Sequence, residues 1–183
     1  MSDENWYTEA THVLSNLAQS LLSVEQMLTG ASYLMGIGFF MKALLTLKTH
    51  GEQRSSSGAS SMKEAIIYMF VAIMLLYFPT AFEVVMNTTF GYSNVLSYST
   101  VSTTSPIMNS ILSMDSEAGQ SIVIIIQTIG LCALIRGWVL ISRISQGQSQ
   151  GNLGKGLMHV VGGTFAMNVV GTIEVFWNTL FGT

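Results

Sequence analysis

The chain has 183 residues, enough for one domain of ordinary size, but only 9% of them are charged, whereas soluble domains carry about 25%. So few charged side chains cannot cover the surface of a soluble particle, which argues against a soluble enzyme. A mean hydropathy of +0.49 with a net charge of −3 argues equally against a disordered chain. Seven basic residues and a pI near 5.5 provide no electrostatic footprint for nucleic acid. The composition predicts a membrane protein.

Residues 1–27 predict an amphipathic helix outside the membrane. Leu14, Leu17 and Leu21 recur at helical spacing, and the stripe continues to Leu28. The opposite face is polar but has no Lys or Arg, which an interfacial helix that binds anionic lipid would carry. We therefore expect the leucine face to pack against protein.

Four apolar stretches are long enough to cross a hydrocarbon core of about 30 Å, which takes about 20 helical residues. Joined in pairs by short polar loops, they predict two helical hairpins, residues 28–85 and 121–183, with an outer loop over residues 86–120 between them. The chain is thereby predicted to be a single all-α membrane domain. The four stretches run from Leu28 to Leu47, Ala65 to Val85, Ile122 to Ile141 and Leu157 to Phe181.

The basic residues predict the orientation of these hairpins. All seven lie at or near the two hairpin loops, and the positive-inside rule makes such loops cytoplasmic. Both termini and the loop over residues 86–120 are then periplasmic. The residues predicted to anchor the cytoplasmic loops are Lys48, Arg54, Lys63, Arg143 and Lys155.

Several polar or reactive side chains lie within the predicted spans. Lys42 and Arg136 either snorkel toward the headgroups or pair with a polar group of a neighbouring helix, and Glu174 leaves the same two alternatives open. The single cysteine, Cys132, lies in an apolar run and is expected to be a small core residue.

The two hairpins resemble each other in the spacing of their charges. The interval from Lys42 to Lys63 is matched by the interval from Arg136 to Lys155. Any two hairpins that obey the positive-inside rule would show similar spacing. Duplication of one hairpin, which would produce a parallel repeat, is the second interpretation.

The sequence has no motif that predicts an enzyme. HExxH and a Walker lysine are missing, and the GxSxG match at residues 147–151 falls in a predicted polar loop between two apolar stretches, not between a strand and a helix. The histidines, His12, His50 and His159, are dispersed, whereas a metal site needs convergent ligands. We therefore expect no catalytic residue, no cofactor and no bound metal.

Small residues in the third and fourth spans predict close packing between helices, because they let backbones approach, and a side-chain amide can bond across such a contact. Contact with other subunits is one interpretation of these residues, and packing within the chain is the other. The subunit-packing candidates are Gly130, Ala133, Gly137, Gly162, Gly163 and Asn168 in the spans, with Leu14, Leu17 and Leu21 in the outer helix.

Three segments resemble a family of secretion proteins. They are the acidic opening MSDENWYTEA, the first span GASYLMGIGFFMKALLTLKTHGEQ and the segment GKGLMHVVGGTFAMNVV in the last span. The chain resembles the IcmC/DotE proteins of type IVB secretion systems. It is similar, more loosely, to the IcmD/DotP and DotV proteins and to TraQ-like proteins of conjugation systems.

The resemblance implies a non-enzymatic structural subunit of a type IVB secretion or conjugation complex. Such a subunit would be multi-pass in the bacterial inner membrane and multimeric within a larger assembly. Its partners would be the lipid bilayer and other inner-membrane subunits. A small autonomous transporter or pore-forming oligomer is the alternative from another class, and it would need a polar lane built from Gln127, Asn168 and Arg136.

Overall fold

The computed structural model describes residues 3–53, 62–91, 117–146 and 151–181, and in these ranges it contains helices and no strand. The prediction of an all-α protein is thereby confirmed for the described residues. A short 3-10 helix, Arg143–Gln146, follows the fourth α-helix. The α-helices are α1 (Asp3–Gln53), α2 (Met62–Leu76), α3 (Phe78–Phe90), α4 (Glu117–Ser142), α5 (Gly151–Met167) and α6 (Val169–Phe181).

The predicted outer helix and the first predicted span form one continuous helix. α1 has 51 residues and is therefore about 76 Å long, more than twice the thickness of a hydrocarbon core. It contains no proline, and isolated glycines cost a helix only about 1 kcal/mol each. The predicted boundary after residue 27 is consequently not a break in the backbone.

The second and fourth predicted spans are each broken near the middle. α2 and α3 meet at 81° around Tyr77, and α5 and α6 meet at 97° around Asn168. Pro79 explains the first break, because it has no N–H and its ring clashes with the carbonyl of Leu75 four residues earlier. The described chain thus has two unbroken helices that are long and apolar enough to cross a membrane, or four spans if each bent pair counts as one.

The second break is built around Asn168. Its side-chain Oδ1 accepts a hydrogen bond of 3.2 Å from the backbone N–H of Gly171, as the side chain of an N-cap residue does. Thr172 Oγ1 donates to the backbone carbonyls of Asn168 and Phe165 at 2.7 Å and 3.0 Å. The amide oxygen that the sequence suggests for bonding across helices therefore caps α6 instead.

Helical structure extends into the predicted outer loop, residues 86–120, from both of its ends. α3 continues to Phe90 and α4 already begins at Glu117. Gly91 ends α3 with a φ of 79°, and its N–H bonds to the carbonyl of Asn87 at 3.0 Å, as in a left-handed helix cap. Residues 92–116 lie outside the described residues.

The described helices pack around α4. α1 lies against α2 and α4, and α5 lies against the far side of α4. Large apolar side chains also cover the outside of the bundle, for example Leu34, Ile66, Ile129 and Met158, which are 61% to 75% exposed. Such a surface is compatible with hydrocarbon and not with water. The core cluster comprises Phe78, Phe82, Met86, Leu131, Leu134, Ile135 and Met167.

The two hairpins share their break positions as well as their charges. Tyr77 lies fourteen residues after Lys63, and Asn168 lies thirteen residues after Lys155. In each hairpin a 13-residue helix follows the break. The positive-inside rule has no bearing on where a helix bends, so this match favours duplication of one hairpin.

Candidate functional sites in the helix bundle

α4 and α5 make a close backbone contact. A Cβ on Gly130 would lie 2.7 Å from the Met167 nitrogen and 2.9 Å from the Gly163 oxygen. A Cβ on Gly137 would lie 2.8 Å from both the Val160 nitrogen and the Gly156 oxygen. No real side chain fits at such distances, so the two backbones touch where these glycines lie.

Three of the predicted packing glycines therefore meet within the chain. Gly163 belongs to the same contact, because its Cβ would lie 2.7 Å from the Gly130 oxygen and the Leu134 nitrogen. Ala133 is half-buried beside the contact. Gly162 is not part of this contact, since a Cβ built on it would have nothing within 4 Å. Gly156 completes the contact and is missing from the sequence prediction. Its spacing of seven residues from Gly163 places both glycines on one face of the helix, which could have indicated it.

The buried stripe of α1 is displaced from the predicted leucine stripe. Leu14 and Leu21 are half-buried, while Leu17 is 47% exposed. The residues that α1 buries most completely in this region are small or polar: Ala18, Glu25 and Ser32. They recur every seven residues, which is a helical repeat. A search for apolar periodicity passes over them because two of the three are polar.

A buried hydrogen bond joins α1 to α4. Thr128 Oγ1 in α4 donates to Glu25 Oε1 in α1 at 2.8 Å, and also bonds to the carbonyl of Ile124 at 2.9 Å. Glu25 is 5% exposed and Thr128 is 6% exposed. Buried carboxylates need such donors, since burial without them is costly. This contact holds α1 against α4 at a fixed height.

Lys42 rests on an aromatic ring. Its Nζ lies 4.4 Å from the ring centroid of Tyr68, whose side chain is fully buried, and Phe39 stacks on the same ring with a centroid distance of 6.0 Å. A cation over an aromatic face is attracted by the ring quadrupole. The structure thus places a neighbouring helix against Lys42, and the group that this helix offers is an aromatic face rather than a polar group.

The other basic residues lie on the outside. Arg136 is exposed on α4, and all four described loop anchors, Lys48, Lys63, Arg143 and Lys155, are exposed. Lys48 pairs with Glu52 on the next turn at 3.8 Å. Arg54 lies outside the described residues, and so does the side chain of Glu174.

Cys132 is exposed, and the expectation of a core cysteine is wrong. The part of α4 that contacts α5 carries Gly130, Leu134 and Gly137. Leu131 and Ile135 are buried next to it, and Cys132 lies outside this buried part of the helix surface. An apolar run does not distinguish the lipid-facing side of a helix from its buried side.

Among the described residues, no group of three or more His, Cys, Asp or Glu side chains could hold a metal ion. The chain matches no protein-family model, no curated protein and no solved structure. Function must therefore be argued from the surfaces and contacts above.

Proposed function

We propose that the chain is a non-enzymatic structural subunit of a type IVB (Dot/Icm-like) secretion or conjugation complex. In this proposal it crosses the bacterial inner membrane four times, with both termini in the periplasm and both hairpin loops in the cytoplasm. It packs with other membrane subunits around the translocation channel. The three segments that resemble IcmC/DotE proteins support the assignment to this class of machine.

The observation that carries the proposal is the outer part of α1. This helix is more than twice as long as a span, and its outer part exposes large apolar side chains. Trp6 is 61%, Val13 67% and Leu17 47% exposed. An apolar surface beyond the hydrocarbon core is costly in water unless another protein covers it. A subunit that docks its neighbours through this segment accounts for both the length and the surface.

Co-purification of the secretion complex from native membranes tests the proposal. Leu17→Asp places a charge on the exposed apolar surface, and Asn16→Asp places the same charge on an adjacent exposed position. We expect both variants to accumulate normally, because neither side chain is buried in the fold. Leu17→Asp should release the protein from the complex and stop secretion, and Asn16→Asp should do neither. Equal behaviour of the two variants would argue against docking through this face.

The topology has its own test. In a Cys132→Ser background, single cysteines at Ser57 and Ser149 should be shielded from an impermeant thiol reagent in intact cells, while cysteines at Ser2 and Ser99 should react. Labelling of Ser57→Cys in intact cells would place the first hairpin loop in the periplasm and contradict the proposed topology.

A further inference from the structure

Packing between α4 and α5 places two basic residues on one side of the helix pair. Gly137 and Gly156 face each other: a Cβ on the first would lie 2.8 Å from the oxygen of the second, and a Cβ on the second 3.1 Å from the oxygen of the first. Arg136 and Lys155 each stand immediately before one of these glycines. In antiparallel helices, the residues that precede two facing positions lie on the same side of the pair, since each position turns by 100°. Both basic residues are exposed.

The opposite side of the same pair is covered. Leu134 and Trp138 of α4, with Val160 and Thr164 of α5, line a groove that Phe78 of α3 also lines. The first hairpin therefore lies over that side. The side of Arg136 and Lys155 faces away from it, which agrees with their exposure.

Further features extend the basic side in both directions. Arg143 follows Arg136 by seven residues, two helical turns, and is also exposed. The ring of His159, one turn from Lys155, is oriented by a bond of 2.8 Å from its Nδ1 to the carbonyl of Lys155. Away from the hairpin loop the surface becomes small and apolar, with Ala133 on α4 and Gly162, whose Cβ position is open, on α5.

The first hairpin shows what a basic residue at this position requires. Lys42, the counterpart of Arg136 in the charge repeat, has the Tyr68 ring beneath its ammonium group. Val160 occupies the position of Tyr68 in the charge repeat, but it packs on Gly137 and lines the covered side of the pair, so it offers Arg136 no aromatic face. A charged group exposed to hydrocarbon is costly until it finds an anion or water. Guanidinium groups are well suited to phosphate, which they bind through two parallel hydrogen bonds.

We propose that this side of the α4–α5 pair binds an anionic phospholipid. The phosphate headgroup lies between Arg136 and Lys155, with His159 and Arg143 nearby, and an acyl chain lies along the small residues Ala133 and Gly162. The lipid belongs to the leaflet next to the α4–α5 loop. This site requires a membrane-embedded chain but is independent of the secretion assignment.

The single cysteine provides a local probe. Cys132 is exposed and precedes Arg136 by four residues, so it lies on the same face of α4, one turn farther from the loop. A fluorophore on this thiol can be quenched by brominated acyl chains of neighbouring lipids. The purified protein is reconstituted in vesicles of equal parts phosphatidylglycerol and phosphatidylcholine, with either the first or the second lipid brominated. The ratio of the two quenching values measures local enrichment of the anionic lipid.

One well-placed basic group contributes about 1 kcal/mol of attraction to an anionic lipid. We therefore expect phosphatidylglycerol to be enriched about five-fold or more near Cys132. Arg136→Gln and Lys155→Gln should each reduce the enrichment toward one. Lys63→Gln, the matched control, removes an equally exposed charge from the start of α2 and should leave the enrichment unchanged. Gly162→Leu should reduce it without altering the charge, since its side chain fills the apolar part of the site. Thermal unfolding checks that each variant is folded.

Three results would overturn the proposal. Wild-type enrichment near one would mean that the site does not select anionic lipid. An equal loss in Lys63→Gln and Lys155→Gln would mean that only the general charge of the loop end matters. Quenching by neither lipid would mean that a second copy of the chain covers this face.

Discussion

Adjacent glycines in α5 provide a sharp test of the backbone contact with α4. Gly163→Ala places a Cβ 2.7 Å from the Gly130 oxygen and the Leu134 nitrogen, whereas unstrained contacts lie at about 3.5 to 4.0 Å. Both neighbours are backbone atoms, which cannot rotate away, so the helices must separate by close to 1 Å along this contact. Overpacking of this kind costs about 1 to 3 kcal/mol. Gly162→Ala meets nothing within 4 Å and gains helix propensity.

Thermal unfolding of the purified protein in detergent measures the difference. In a chain of this size a loss of 1 kcal/mol lowers Tm by about 2 to 4 °C, so Gly163→Ala should lower Tm by about 2 to 12 °C. Gly162→Ala should leave Tm unchanged or raise it. The abundance of each variant in membranes should follow the same order, because the contact lies within the chain. Similar Tm values for the two variants would refute the backbone contact and return Gly163 to the list of candidates for contact with other subunits.

Three further predictions concern single contacts, all measured as Tm in the same detergent. Thr128→Val removes the donor to Glu25 and should cost about 1 to 2 kcal/mol. In a double-mutant cycle, the losses from Thr128→Val and Glu25→Leu should sum to more than the loss of the double variant. Losses that simply add would contradict the hydrogen bond. Tyr68→Leu removes the ring beneath the exposed Lys42, which should cost about 0.5 to 1 kcal/mol, and it also removes part of a fully buried side chain, which adds to the loss. Tyr68→Phe keeps the ring face and should cost less; equal losses would show that the hydroxyl matters and the ring does not. Asn168→Ala removes the cap of α6 and should cost about 1 kcal/mol, whereas Asn168→Ser retains an accepting oxygen without adding a buried charge and should cost less.

The sequence predicts the helices well because a span is a property of composition. Four apolar stretches and their loops can be located from hydropathy. Apart from the two breaks and the long N-terminal extension of α1, the described helix ends lie within about six residues of the ends of those stretches. The break at Pro79 follows from its missing N–H. The break at Asn168 does not, because an asparagine in an apolar segment fits equally well as a helix cap and as a bond between helices.

Contacts between distant residues are harder to predict. The ring beneath Lys42 comes from Tyr68 on the next helix, and the donor to Glu25 comes from Thr128 at a separation of 103 residues. Both pairings depend on how far one helix is rotated and shifted along another. The exposure of Cys132 depends on the same rotation. Glycine spacing predicts that α4 packs closely, and only the packing register shows that α5 is its partner.

The continuity of α1 has a mechanical consequence. Between Asp3 and Gln53 the helix has no break, so it contains no hinge at which one part could turn against the other. The buried bond at Glu25 lies about 33 Å from the outer end and about 42 Å from the loop end. A tilt of about 10° around that point would displace the outer tip by about 6 Å and the loop end by about 7 Å in the opposite direction. In the proposed topology, a force on the periplasmic part of α1 would therefore displace its cytoplasmic end, with the side chain of Glu25 as the pivot.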